Sequence, residues 1–124
     1  MLFIPNGGKL IAMNEYQIVD KQAALDRLDN DEELYNEVVE IYFEDTPIQL
    51  VKLKEALRDN VISEVTRISH SIKSASGNIG AERMSHASLN VERASKAGES
   101  GTLNDLVSHM MQEFEELKQF FGRP

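Results

Sequence analysis

The 124-residue sequence contains no cysteine, which excludes disulfides, thiolate nucleophiles and cysteine-ligated metals. It is poor in basic residues: 13 Lys and Arg stand against 21 Asp and Glu, for a formal net charge of −8. A chain this acidic repels phosphate backbones and anionic lipid, so neither nucleic acid nor a membrane is expected as its partner. No apolar run approaches the roughly 18 residues that a membrane-spanning helix needs. The opening stretch, Met1 to Ala12, is mildly apolar but broken by Pro5 and the pair Gly7-Gly8. It has no basic segment ahead of an unbroken apolar core, so it does not read as a secretion signal, and a cytoplasmic location is expected. Sustained alternation at period two and internal repeats are missing as well, which argues against a sheet or a solenoid.

What remains is helical. Hydrophobic residues make up 41% and charged residues 27% of the chain, the balance of one domain long enough to bury a core. Residues 1–13 read as an irregular arm and residues 14–124 as the folded domain. Asp20 is placed to cap a short helix carrying Ala23, Ala24, Leu25 and Leu28. Asn30 or Asp29 can cap a longer one, with Asp31, Glu32 and Glu33 complementing its dipole. Leu34, Val38, Ile41 and Tyr42 recur along it, Pro47 predicts a kink or break near Phe43 to Thr46, and Leu50, Leu53 and Leu57 resume the spacing. A third helix is expected from Val61 to Asn78, with Val61, Val65, Ile68, Ile72, Ala75 and Ile79 on one seam and Gly77 and Gly80 bracketing its end. A fourth spans about Ala81 to Ala97, with Met84, Ala87, Val91 and Ala94 inward. The fifth runs from about Leu103 to Phe121 along Leu103, Leu106, Met110, Phe114, Leu117 and Phe121, its stripe widened by Val107, Met111 and Phe120. The expected fold is all-α, an antiparallel four-helix bundle preceded by one short helix.

The third helix carries the chemistry. At about 100° per residue, its six seam residues fall within roughly 40° of one direction, and His70 points almost directly away from it. Lys73 lies about 60° to one side of His70, Ser74 about 40° to the other and Gly77 about 20° away. Arg67 occupies the same outer face one turn earlier. A lone histidine on a wet helix face is ordinarily just a solvated residue. Here, however, Ser74, Ser76 and Gly77 sacrifice helix stability, glycine by about 1 kcal/mol relative to alanine. Ala75 and Ser76 can serve close helix packing, whereas Ser74 and Gly77 project outward, where a gap lets another surface approach the imidazole. Lys73 stands where it can offset negative charge on a group attached to His70.

The run His70-Ser71-Ile72-Lys73-Ser74-Ala75-Ser76-Gly77-Asn78-Ile79-Gly80-Ala81 resembles the signature of histidine-containing phosphotransfer domains. That signature is a histidine, an apolar residue two on, a lysine three on, a small residue four on, and an apolar-Gly-Ala ending. The likeness extends over Asp20 to Phe121, including Leu89-Asn90-Val91-Glu92, where the family's next helix carries an apolar-Glu pair. Ser74 departs from the family's more frequent glycine. The resemblance implies a phosphorelay carrier: His70 accepts a phosphoryl group through Nε2 from a receiver domain's aspartyl phosphate, and Lys73 stabilises its charge. Arg67, Ser74 and Gly77 would face the partner. No cofactor is expected in this chain, Mg²⁺ being the receiver's, and the expected partners of a monomeric carrier are receiver domains and a hybrid sensor kinase. Transfer is reversible, so such a domain carries phosphoryl groups without a kinase activity of its own.

Two other readings of a helical histidine conflict with the residues. Kinase dimerisation helices commonly place an acidic residue directly after the histidine and a proline five on, where this chain has Ser71 and Ala75. A metal-carboxylate bundle needs Glu three residues before inward histidines, but Arg67, Arg83 and Leu106 precede His70, His86 and His109. His86 and His109 read as surface or boundary residues. A non-catalytic helical adaptor using the same face stays open as the alternative to a carrier.

Overall fold

The computed structural model describes residues 3–6, 9–12 and 16–124. Five helices follow one another: α1 (Lys21–Asp26), α2 (Glu32–Arg58), α3 (Ile62–Asn78), α4 (Glu82–Lys96) and α5 (Ser100–Phe120). The long helices pack in sequence, α2 on α3, α3 on α4 and α4 on α5, and α5 returns to α2, so the four close a ring around one core. Tyr35, Leu53, Ile68, Ile72, Ile79, Met84, Leu103, Met110 and Leu117 fill it, each almost wholly withdrawn from solvent. Among the described residues no helix is long and apolar enough to cross a membrane.

One stop signal recurs at every turn. Val61 N–H bonds Ala56 C=O, Ala81 bonds Ser76, Glu99 bonds Ala94 and Arg123 bonds Lys118, each just after a residue of positive φ, namely Asn60, Gly80, Gly98 and Gly122. This six-to-one closure satisfies the last free carbonyls of a helix and turns the chain back. The α1–α2 joint closes the same way, Asn30 N–H to Leu25 C=O, with both Asp29 and Asn30 left-handed. Those two residues therefore make the turn, and the cap expected of them falls to Asp31, whose side chain accepts from Leu34 N–H. Asp20 caps α1 as expected, accepting from Ala23 N–H.

Three other expectations are corrected. Pro47 lies inside α2, which is continuous through it, so the break allowed for there is absent. A proline removes only one ladder hydrogen bond, and buried Tyr42, Thr46, Leu50 and Leu53 hold both sides of the gap against the core. Leu34, Ile41, Val61 and Phe120 are exposed. Tyr42, Leu50 and Leu53 are buried as expected, and the rest of the buried face of α2 passes through Tyr35, Val39 and Thr46 in place of Leu34 and Ile41. Val61 is the N-cap residue of α3 and Phe120 the last residue of α5. The arm, expected to be irregular, carries two short antiparallel strands, β1 (Phe3–Asn6) and β2 (Lys9–Ala12), with Asn6 opposite Lys9.

Candidate functional site

The site is built on the α3–α4 hairpin, and its turn sets the register. Gly80 adopts φ 76°, a left-handed conformation that costs a side-chain-bearing residue about 1–2 kcal/mol. Its carbonyl accepts Asp20 N–H at 2.7 Å, and a Cβ on it would lie 2.2 Å from the Asp20 carbonyl oxygen. The apolar-Gly-Ala ending thus has a structural reason: Ile79 and Ala81 are fully buried, and only glycine fits between them. Two α2 tyrosines pin the end of α3, Tyr35 Oη donating to Ile79 C=O and Tyr42 Oη pairing with Ser76 Oγ, both at 2.8 Å. Burial is the main cause that pushes the Tyr42 phenol up to about 12, against the opposing bonds from Ser76 and Thr46. Ser69 and Ser76 of α3 and Ser88 and Ser95 of α4 are buried small residues that let the two helices approach closely.

His70 and Glu92 lie level across this hairpin, each eleven residues from Ala81. The His70 side chain is 57% exposed, as the helical projection requires, whereas that of Glu92 is only 5% exposed. His70 Nδ1 is 2.8 Å from Glu92 Oε2, and Lys73 Nζ donates to Glu92 Oε1 at 2.8 Å. Lys96, one turn further along α4, places its Nζ 3.3 Å from Oε2. Burial raises the Glu92 carboxyl pKa, but the bonds from Lys73, His70 and Lys96 outweigh it and hold the group down at about 2. Glu92 is therefore an anion at neutral pH and can only accept. The shared proton sits on His70 Nδ1, and in the neutral ring Nε2 carries the free lone pair. A buried carboxylate thus fixes the tautomer of the neutral ring and leaves Nε2 toward solvent.

The other residues singled out in the sequence gather here on different terms. Lys73 is 27% exposed and committed to Glu92, and its backbone carbonyl accepts from Ser85 Oγ of α4. Arg67 faces outward but is clamped by Glu64, with bonds of 2.6 to 3.2 Å. Ser74 is exposed. Gly77 is half-buried, with Ser85 Oγ 3.9 Å from where its Cβ would be, and its carbonyl accepts from Arg27 Nη2 at 2.5 Å. The single-helix projection could not see that α1 reaches across at this point. His86 stacks on Tyr16 with ring centroids 3.8 Å apart, and His109 lies 3.2 Å from buried Glu113. Neither touches the His70 cluster. Among the described residues no group of His, Asp and Glu side chains is placed to hold a metal ion.

Sequence reasoning noted Glu92 without giving it a role, and it missed Lys96 and Arg27. The signals were there: Glu92 lies opposite His70 once the hairpin turn is placed at Gly80, and Glu92–Lys96 is an i,i+4 pair.

Comparison with known proteins identifies the family and the fold. Residues 37–120, more than half of the chain and inclusive of His70, Lys73 and Glu92, match the Hpt domain family. Among solved structures, the chain is similar to histidine-containing phosphotransfer protein B (HptB) from Pseudomonas aeruginosa PAO1. That likeness has a TM-score of 0.77 and 22% identity, and it covers 85% of this chain and 91% of that one. At this identity it establishes the fold. A comparison with curated proteins finds no match. The helical bundle and the family match lead to one conclusion: the chain belongs to the Hpt family, the histidine-containing phosphotransfer domains that carry phosphoryl groups in phosphorelays.

Proposed function

We propose that His70 is the phosphoryl acceptor and that Nε2 is the atom that bonds to phosphorus. The observation that carries this reading is the 2.8 Å contact between Nδ1 and the buried Glu92 carboxylate, which in the neutral ring puts the proton on Nδ1 and leaves the Nε2 lone pair free on an exposed ring. As Nε2 attacks the aspartyl phosphate of a receiver, the N–P bond forms and the P–O bond to the aspartate breaks. The carboxylate leaves with the electron pair, and the ring becomes a cation that still holds its Nδ1 proton. Glu92 stabilises that cation. Phosphoryl transfer rests chiefly on positioning and electrostatics, so this chain supplies the nucleophile and a docking face, while Mg²⁺ belongs to the receiver. The partners under this reading are receiver domains, one of them attached to a hybrid sensor kinase, and the reverse reaction returns the group to an aspartate.

The role of Lys73 is refined by its geometry. With Nζ on Glu92 Oε1, it holds the carboxylate in place before phosphate arrives, and its charge then lies within reach of the phosphoryl oxygens. The test is incubation with a phosphorylated receiver and Mg²⁺. The expected product is acid-labile, base-stable protein phosphate that disappears in His70→Gln. Label that persists in that variant would sink the assignment.

A further inference from the structure

Lys96 approaches the same carboxylate oxygen that receives the histidine proton. His70 Nδ1 is 2.8 Å from Glu92 Oε2, and Lys96 Nζ is 3.3 Å from that oxygen. Lys73 occupies the other oxygen, Oε1. The two lysines are therefore not equivalent: Lys73 anchors the carboxylate, whereas Lys96 competes directly with the imidazole. Lys96 is also 62% exposed, so its stem contributes little to the core.

The competition matters because the Nδ1 proton decides how good a leaving group the phosphorylated ring is. When an acceptor carboxylate or water attacks phosphorus, the N–P bond breaks and its electron pair returns to Nε2. If Nδ1 has kept its proton, the ring departs as neutral imidazole. If the proton has been lost, the ring must depart as an anion, and the step is slow. The stronger the negative charge at Oε2, the larger the fraction of phosphorylated rings that keep the Nδ1 proton, and the shorter the life of the phosphohistidine.

We propose that Lys96 is a positioning residue that acts through Glu92: by sharing Oε2 with the Nδ1–H of His70, it weakens that oxygen's hold on the ring proton and lengthens the life of the phosphohistidine. The inference rests on the carrier reading above. Its sequence mark is the Glu92–Lys96 pair one helical turn apart, lying beside the His70-Ser71-Ile72-Lys73 motif without belonging to it. A cation here also offsets the phosphoryl charge directly, and that effect runs in the same direction, so lifetime alone does not separate the two.

The separating measurement is made on the unphosphorylated chain. In Lys96→Gln the Nδ1–H of His70 bonds Glu92 more strongly, and its proton resonance moves downfield in a histidine-selective ¹H–¹⁵N spectrum. In Lys96→Arg, which keeps the cation, the resonance returns toward its wild-type position. The chains are then phosphorylated with potassium phosphoramidate and their decay is followed by ³¹P NMR. Lys96→Gln is expected to lose its phosphoryl group about twofold faster, the size of an exposed i,i+4 ion pair, and Lys96→Arg at the wild-type rate. Faster decay with an unmoved Nδ1–H resonance would show Lys96 acting on the phosphoryl group directly, and a moved resonance with unchanged decay would show the coupling to be without consequence; both overturn the proposal, as does no change in either. A wild-type chain that takes up no phosphoryl group from phosphoramidate or any receiver defeats the carrier reading itself. That result is distinct from a labelled chain whose behaviour ignores Lys96.

Discussion

Replacing Glu92 by glutamine should convert a pH-dependent source of stability into a constant one. The folded protein holds this carboxyl at about 2, against its ordinary 4.5, because the bonds from Lys73, His70 and Lys96 overcome the burial that opposes ionisation. A depressed folded pKa means that stability is present above the unfolded value and lost as pH falls through the folded one. The fall from 4.5 to about 2, at about 1.4 kcal/mol per pH unit, is worth on the order of 3 kcal/mol at neutral pH. That is a large part of the 5–15 kcal/mol typical of a whole domain. Glutamine keeps the volume and an oxygen that accepts from Nδ1–H, but it cannot ionise, and it leaves Lys73 and Lys96 without their charge partner. Urea unfolding of both proteins at steps from pH 2 to pH 7 measures the effect. Wild type should exceed Glu92→Gln most at pH 5 to 7, and the gap should close between about pH 4.5 and pH 2. Carboxylates common to the two proteins cancel in the difference. A gap that stays constant across this range, or one that widens as pH falls, would refute the account of how the lysines and His70 hold Glu92.

Two further substitutions probe the same hairpin. Lys73→Ala should leave the helices intact, lower stability at pH 7 by about 1.5 kcal/mol through the lost charge-assisted bond, and slow phosphoryl transfer or shorten the phosphohistidine lifetime. Unchanged rate and lifetime would remove the role assigned to Lys73. Gly80→Ala should cost at least about 1–2 kcal/mol from its left-handed backbone alone, and more because its Cβ would meet the Asp20 carbonyl 2.2 Å away. A thermal midpoint equal to wild type would show that the α3–α4 turn tolerates a side chain there.

The helical fold and the exposure of His70 were legible because both follow from one period. Ile68, Ile72 and Ile79 are buried and His70 is exposed, as a rotation of about 100° per residue dictates. The inward face of α4 was equally plain, with Met84, Ala87, Val91 and Ala94 all buried. Periodicity says nothing about which of two adjacent apolar residues wins a place, so Leu34 was read inward where its neighbour Tyr35 occupies the core, and Ile41 was read inward together with Tyr42, of which only Tyr42 is buried. Local propensity also misjudged Pro47, because packing on both sides of it outweighs one missing hydrogen bond. Glu92 was hidden for a different reason. A glutamate is ordinarily a surface residue, and its burial depends on three cations or donors contributed by two helices. No single helix displays that arrangement, which exists only once the hairpin register is set.

In the proposed transfer, Glu92 holds the proton on Nδ1 so that Nε2 of His70 takes the phosphoryl group. This is tested most directly by labelling the histidines with ¹⁵N, phosphorylating the chain from a receiver, and recording ³¹P and ¹⁵N spectra of the folded chain near neutral pH. The expected product is one phosphohistidine, with phosphorus coupled to Nε2 of His70 and a proton retained on Nδ1. Phosphorus bonded to Nδ1, or carried by any residue other than His70, would contradict it.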